Sequence, residues 1–139
     1  MILVIDTNIL LASLIRDSTV RKVIVESGWE FFYPEASFHE VRKYKGLVLE
    51  KSGINETEYA KLLNHLLQHI TLVPEEQIKG HVKESNKLLG KVDSDDVVFL
   101  ATAFSIENSK IWSDDPHLAK QDKVRVFKTK HIVMLFFSG

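Results

Sequence analysis

The sequence predicts an α/β fold of three layers, in which a central, mostly parallel sheet is flanked by helices on both faces. Residues 2–5 are a continuous apolar run, which is typical of a strand buried on both faces of a sheet. Further apolar runs of strand length alternate with segments that have helical apolar spacing, the pattern of a parallel sheet with helical crossovers. With 139 residues, 45% of them hydrophobic, the chain is long enough for one domain over 1–139 with a substantial core.

The individual elements follow from apolar periodicity and from residues that begin or end helices. Strands are predicted at 2–5, 30–33, 71–73, 110–112 and 124–127. Helices are predicted from residue 9 onward and at 18–27, 34–49, 55–67, 75–89, 96–106 and 130–137. Thr7 or Asn8 is the predicted cap of the first helix, and Asn55 with Glu58 forms a predicted capping box.

Composition narrows the functional classes. The chain has no cysteine, so it has neither a disulfide framework nor a thiolate zinc site. No apolar run approaches the roughly 20 residues of a membrane span, and the cytoplasm is the expected location. The formal net charge of −1 gives no global sign of a nucleic-acid partner. Acids are nevertheless concentrated at 93–96 and 114–115, so an acidic pocket bordered by basic residues is compatible with the total charge.

Two of the predicted strands are followed by aspartate. Asp6 comes directly after the first strand, and Asp114 and Asp115 follow the strand that ends at Trp112. A single aspartate in such a position is most often a turn or helix-cap residue. Two strands that deliver carboxylates to the same edge of a parallel sheet indicate a site, because sites in such sheets lie beyond the carboxyl ends of the strands.

A third acidic group, Asp93, Asp95 and Asp96, lies where an apolar helix is predicted to begin. The helix dipole accounts for one or two acids there but not for three. If these acids converged with Asp6 and Asp115, their mutual repulsion would be severe without a cation. Mg²⁺ or Mn²⁺ is the natural counter-charge for such oxygen ligands. The segment lacks the glycine and the closing glutamate of a calcium-binding loop.

Four acidic motifs, taken in order, resemble those of the PIN domain family. DTNIL at 6–10 follows the first strand, and Glu40 lies on the helix after the second strand. DVVFLATA at 96–103 resembles the family's third acid with its alanine-rich helix, and SDDP at 113–116 is similar to the closing Ser/Thr-x-Asp motif. By periodicity alone Glu40 is a solvated surface acid, and only this resemblance places it in the site.

The resemblance implies a three-layer PIN-like fold and a metal-dependent endoribonuclease that hydrolyses RNA phosphodiester bonds. The implied catalytic residues, which also hold one or two Mg²⁺ or Mn²⁺ ions, are Asp6, Glu40, Asp96 and Asp115. Asp93 or Asp95 is an alternative for the third position, and Asp114 for the fourth. Asn8 and Ser113 are implied to orient ligands or the phosphate, although capping of the following helices is an equal alternative.

The residues expected to contact RNA have weaker sequence signals. Basic side chains close in sequence to Asp6 or Glu40 are expected to hold phosphates, namely Arg16, Arg21, Lys22, Arg42 and Lys43. Trp112 and Phe38 fit base stacking, but their apolar surroundings favour the core. His39 and His117 fit metal binding or proton transfer, but the simpler interpretation is that they are surface histidines.

Small stand-alone PIN proteins resemble VapC-type toxins, which implies a small antitoxin protein and a homodimer as partners. Two other hypotheses remain open from the sequence: a non-catalytic PIN-fold module that binds RNA or protein, and an aspartate-nucleophile phosphatase. Asn8 disfavours the phosphatase, because those enzymes need a second aspartate at this position. The sequence also lacks the glycine-rich motifs of nucleotide-binding enzymes.

Overall fold

A computed structural model describes residues 1–15, 18–90 and 94–139. In this part of the chain five strands form one sheet: β1 (Ile2–Ile5), β2 (Glu30–Pro34), β3 (Ile70–Val73), β4 (Lys110–Trp112) and β5 (Val126–Phe127). Their order across the sheet is β3-β2-β1-β4-β5, and every neighbouring pair is parallel. The predicted three-layer architecture is confirmed.

Helices cover both faces of this sheet. They are α1 (Thr7–Ser13), α2 (Thr19–Glu26), α3 (Phe38–Lys43), α4 (Lys45–Ser52), α5 (Glu56–Leu67), α6 (Glu75–Ile78), α7 (Val82–Leu89), α8 (Ser94–Phe104) and α9 (Thr129–Ser138). On one face α8 contacts β1, β2 and β4 and packs beside α6 and α7, whereas α2 packs against α5 and α9 on the other. The chain moves outward from β1 to β3 and then returns to β4, and crossovers of one hand in these opposite directions place helices on opposite faces. Within the described ranges, no helix has both the length and the apolar character needed to cross a bilayer.

The central strand β1 shows why its sequence is a continuous apolar run. Leu3, Val4 and Ile5 are completely buried, and β1 has paired neighbours on both sides. A strand covered on both faces needs apolar side chains in both directions. The adjacent strands add the largest buried side chains, including Phe31 and Trp112, whose ring centroids are 6.1 Å apart.

The first helix begins earlier than predicted, and its cap is a different residue. Asp6 has extended backbone angles, and its Oδ1 accepts a hydrogen bond from the Ile9 N–H at 2.9 Å. The predicted cap at Thr7 or Asn8 is therefore wrong. The residue that leaves β1 keeps the extended backbone that an N-cap requires, whereas the residues after it are already helical.

Two long helices of the prediction are interrupted in the structure. Between Pro34 and Leu49, a 3₁₀ turn at Glu35–Ser37 precedes α3, and Tyr44 separates α3 from α4. The predicted 75–89 helix is divided into α6 and α7 by a 3₁₀ turn at Lys79–His81. A glycine lies near each interruption, and glycine in a helix interior costs about 1 kcal/mol relative to alanine.

The capping box predicted for α5 is confirmed. The Glu58 N–H donates to Asn55 Oδ1 at 2.8 Å, and the Asn55 N–H donates to Glu58 Oε1 at 3.2 Å. The two bonds satisfy amide groups that the first turn of a helix leaves without an intrahelical partner. This start signal is local in sequence, which is why it was predictable.

Candidate active site

The register of the sheet places the first two residues of the site side by side. Ile5 of β1 is paired with Trp112 of β4, and the Asp6 N–H donates to the Trp112 carbonyl at 3.4 Å. Asp6 and Ser113 therefore leave adjacent strands at the same edge of the sheet. The Ser113 hydroxyl donates a short hydrogen bond to Asp6 Oδ2. The strand order reverses between β1 and β4, and this is where ligands bind in open α/β sheets.

A cleft of about 340 Å³ opens at this edge of the sheet. Its acids come from separate elements: Asp6 precedes α1, Glu40 is on α3, Asp95 and Asp96 are in the first turn of α8, and Asp115 follows β4. The same cleft is also lined by Thr7, Asn8, His39, Lys43, Tyr44 and Phe99. Acids that are distant in sequence thus lie in one depression of the surface.

Asp6 is the most deeply buried acid for which a pKa shift is resolved, with 5% of its surface exposed. Loss of hydration is the largest influence and raises the pKa of this carboxyl from 3.8 to about 6. Hydrogen bonds from Ser113 and the Ile9 N–H oppose this rise, and the negative charges of Asp115 and Asp114 add to it. A nearby cation would favour the ionised form of Asp6.

Glu40 reaches the cleft from α3 and is held by Thr7. Thr7 Oγ1 donates to Glu40 Oε1 at 2.9 Å and lies 2.7 Å from the Tyr33 hydroxyl, which is 3.0 Å from the Ser37 carbonyl. Burial is the largest cause that raises the pKa of Glu40, the hydrogen bond from Thr7 lowers it, and the charge of Asp95 and a hydrogen bond to Asp95 raise it. Two carboxyl groups in such contact favour a shared proton or a bound cation.

Beside the cleft, two of its acids lie close to a histidine. His117 Nδ1 lies 3.7 Å from Asp96 Oδ2 and 3.5 Å from Asp115 Oδ1. The backbone N–H of His117 also donates to Asp115 Oδ1 at 2.9 Å, and the backbone N–H of Asp115 donates to Ser113 Oγ at 3.0 Å. One ligand atom from each of Asp96, Asp115 and His117 lies within 4.8 Å of the other two. These three side chains can therefore reach one ion.

Asp114 is engaged elsewhere. Its Oδ1 accepts the Thr129 N–H at 2.7 Å, and its Oδ2 accepts the Thr129 hydroxyl at 2.6 Å. Thr129 Oγ1 in turn accepts a hydrogen bond from Trp112 Nε1 at 3.0 Å. Asp114 thus holds the first turn of α9 and does not line the cleft. This geometry gives no support to the prediction that Asp114 binds metal.

The predicted RNA-contacting residues are divided by the structure. Lys43 lines the cleft, whereas Arg42 is exposed on the same helix and does not line it. Arg21 donates to two backbone carbonyls at the end of α1, at 3.2 and 3.1 Å, and so supports that helix end. The Lys22 ammonium lies 5.6 Å from the centroid of the Phe137 ring.

The other residues that the sequence analysis considered for the site lie in the core, at the cleft or outside the described part of the chain. Arg16 and Asp93 lie outside the described residues. Trp112 has no exposed surface and belongs to the core, and Phe38 is half-buried. His39 lines the cleft, but its Nδ1 is 2.8 Å from a backbone carbonyl.

Thr7 and Tyr33 are parts of the arrangement that the sequence did not place in a site, and His117 was considered there only as the less favoured alternative to a surface histidine. Thr7 and Tyr33 meet Glu40 only because α3 packs against α1, and no local pattern encodes that contact. For His117 a local signal existed. It is two residues after Asp115, the distance at which an aspartate side chain bonds a following backbone N–H.

The parallel sheet and the acidic cleft at the β1–β4 switch point define an α/β fold with a candidate metal site at the edge of its sheet. The sequence profile of the PIN domain matches residues 4–132, from β1 into α9. The chain belongs to the PIN domain family, whose members are generally nucleases. A comparison with curated proteins found no match.

PIN domains typically use a divalent metal ion, and the donor set of this cleft fits one. The cleft supplies carboxylate oxygens from four separate parts of the chain, together with one imidazole nitrogen nearby. Hard divalent cations prefer such oxygen ligands. Burial is the main cause of the raised pKa values of Asp6 and Glu40, and neighbouring carboxylates add to it, so a bound cation would oppose the shift in both groups.

Proposed function

We propose that this PIN domain is a Mg²⁺- or Mn²⁺-dependent endoribonuclease that hydrolyses RNA phosphodiester bonds. The supporting observation is the convergence of Asp6, Glu40, Asp96 and Asp115 on one cleft at the carboxyl edge of the sheet. Phosphodiester hydrolysis requires positive charge at the phosphate, and a cleft that gathers carboxylates acquires that charge by binding metal.

In this proposal Asp6, Asp96 and Asp115 hold one or two ions, and Glu40 is a further ligand or the base for the attacking water. The ions supply positive charge to the phosphate and lower the pKa of the attacking water. Ser113 keeps the Asp6 carboxylate oriented through its hydrogen bond to Oδ2.

Two further residues are suited to the substrate. Asn8 is exposed within the cleft, where its amide is available to a phosphate oxygen. Lys43 supplies a positive charge beside the acids and is the favoured contact for a neighbouring phosphate. Arg42, exposed one residue earlier, adds to the positive potential on this helix.

The central test is the Asp6→Asn variant, which removes a buried charge and keeps the size of the side chain. We expect Mn²⁺-dependent cleavage of single-stranded RNA to fall by at least about 100-fold, because loss of a ligand exceeds the effect of losing a hydrogen-bonded support. Cleavage is measured on a labelled RNA with and without a chelator. Asp122→Asn, which changes an exposed aspartate outside the cleft, is the matched control and should cleave normally.

The outcomes separate the competing functions. RNA binding without cleavage by the folded wild type would identify a non-catalytic module, and a trapped phosphoaspartate at Asp6 would identify a phosphatase. Cleavage of a DNA of the same sequence at an equal rate would contradict the preference for RNA. Unchanged cleavage by folded Asp6→Asn would remove the basis of the nuclease proposal.

We also propose that the chain acts in the cytoplasm as a toxin, in a homodimer restrained by a small antitoxin protein. Family membership is the support for this role. Expression of the wild type should then arrest the growth of the host cells, and expression of Asp6→Asn should not. Absence of arrest by an active nuclease would contradict the toxin role and leave the chemistry intact.

A further inference from the structure

We infer that His117 is a metal ligand and that its nitrogen makes the site prefer a first-row transition ion such as Mn²⁺ to Mg²⁺. The inference rests on the proposed metal site and specifies which ion that site takes. It concerns the mixed-donor triad, defined here as Asp96, Asp115 and His117. His117 lies outside the four acidic positions that the PIN motifs assign.

The geometry of the mixed-donor triad suits one ion. An ion bound about 2.1 Å from each ligand atom keeps those atoms about 3 to 4 Å apart. His117 Nδ1 is 3.7 Å from Asp96 Oδ2 and 3.5 Å from Asp115 Oδ1, so both distances fall in this range. The three groups need no large rearrangement to share an ion.

The position of His117 is also fixed by its backbone. Its N–H donates to Asp115 Oδ1, and the Asp115 N–H donates to the Ser113 hydroxyl, which is bonded to Asp6. This series of hydrogen bonds connects the backbone of His117 to Asp6, the innermost acid of the cleft. Supporting hydrogen bonds of this kind orient ligands and contribute to metal affinity.

His39, the histidine that lines the cleft, lacks these features. His39 Nδ1 is 2.8 Å from the Ala36 carbonyl, so this nitrogen is already used. His117 Nδ1 instead faces two carboxylate oxygens, and 48% of its side chain is exposed, which leaves the ring accessible to an incoming ion.

The donor type determines the preferred ion. Mg²⁺ is held by oxygen ligands and keeps several of its waters, whereas imidazole nitrogen raises affinity for first-row transition ions. A site of carboxylates alone has no nitrogen with which to discriminate between Mg²⁺ and Mn²⁺. His117 adds that nitrogen at the position where Asp96 and Asp115 meet.

The test measures the ligands of the ion directly, without cleavage of RNA. Mn²⁺ is added to the full-length, metal-free protein, and pulsed electron paramagnetic resonance detects nitrogen bound to the ion. We expect an imidazole signal in the wild type, its loss in His117→Gln and its retention in His39→Gln. Calorimetry should show Mn²⁺ affinity reduced about 10- to 100-fold in His117→Gln, with a much smaller change for Mg²⁺.

The remaining outcomes each decide whether His117 is a metal ligand. Mn²⁺ bound without a nitrogen signal, or an equal loss of Mg²⁺ and Mn²⁺ affinity in His117→Gln, overturns the inference. Increased affinity for both ions in that variant also overturns it, since His117 would then act as a competing counter-charge. A nitrogen signal in a protein that does not cleave RNA supports the ligand assignment and contradicts only the nuclease proposal. If no Mn²⁺ binds, both proposals fail.

Discussion

At Asp6 one carboxylate both begins a helix and forms the base of the cleft. Oδ1 accepts the Ile9 N–H, and Oδ2 accepts the Ser113 hydroxyl. Both oxygens are therefore oriented by the protein before an ion arrives, which reduces the reorganisation that binding requires. The cost is electrostatic, because burial makes ionisation of Asp6 unfavourable and raises its pKa to about 6.

Thr7 provides the corresponding support for Glu40. When Glu40 is ionised it can only accept, so the Thr7 hydroxyl must donate to it. Thr7 Oγ1 also lies 2.7 Å from the Tyr33 hydroxyl, which donates to the Ser37 carbonyl. Burial raises the pKa of Tyr33, so its hydroxyl keeps the proton that this arrangement needs. Thr7 is thus a positioning residue that acts through Glu40.

Replacing Thr7→Val removes this hydroxyl with little change in volume. We expect RNA cleavage to fall about 10-fold, mainly in kcat, because Glu40 loses its fixed orientation. Stability should fall by about 1–2 kcal/mol, because Tyr33 loses a buried partner. Steady-state kinetics and urea denaturation measure the two effects. Thr7→Ser keeps the hydroxyl and should restore kcat, so equal kinetics for the two variants would refute the positioning role.

Among the elements, α9 depends on a residue that the sequence associated with metal binding. Asp114 accepts hydrogen bonds from both the backbone N–H and the hydroxyl of Thr129 at the first turn of this helix. A negative charge at this end of a helix also interacts favourably with the helix dipole. We expect Asp114→Ala to lower the free energy of unfolding by about 1–2 kcal/mol and to leave Mn²⁺ affinity within about 2-fold.

Urea denaturation and calorimetry measure these two quantities. Asp122→Ala is the matched control, since Asp122 is an exposed aspartate in the turn before β5, and it should change neither. A large loss of Mn²⁺ affinity in Asp114→Ala would return Asp114 to the metal site.

Elements with local signals were predictable, and their interruptions were not. The run at 2–5 identified β1, and Asn55 with Glu58 identified the start of α5. Apolar periodicity did not reveal the break at Tyr44, because Val41 and Val48 are both buried and their spacing of seven residues fits one continuous helix. The packing of α3 on α1, which directs Glu40 to Thr7, is a tertiary contact.

For the whole molecule, the strand order explains why the sequence motifs could identify the acids of the site but could not predict which groups they contact. The order β3-β2-β1-β4-β5 places the ends of β1 and β4 together, so Asp6 and Ser113 meet across 107 positions of sequence. The motifs predicted that such acids converge. Which oxygen contacts which donor depends on register and side-chain geometry, as does the approach of His117. The prediction that residues 1–139 form a single domain stays a prediction.

Burial of Asp6 at the base of the cleft also determines how the stability of the metal-free protein depends on pH. The pKa of Asp6 is about 6 in the folded protein, against 3.8 for an exposed aspartate. The folded state therefore binds more protons than the unfolded state between about pH 4 and 6, so the free energy of unfolding falls as the pH rises through this range. The difference in pKa corresponds to about 3 kcal/mol, and the raised pKa of Glu40 acts in the same direction.

We expect chelator-treated wild type to lose up to about 3 kcal/mol of stability from Asp6 between pH 4 and 7, as measured by urea denaturation at several pH values. The Asp6→Asn variant should lose less stability over this pH range, because the asparagine side chain does not ionise. Near neutral pH, Mn²⁺ at about 100 times its dissociation constant should return about 2.7 kcal/mol to the wild type, and little to Asp6→Asn. Parallel pH curves for the two proteins would show that the charge of Asp6 does not oppose folding, and the need for a cation in the cleft would lose its energetic basis.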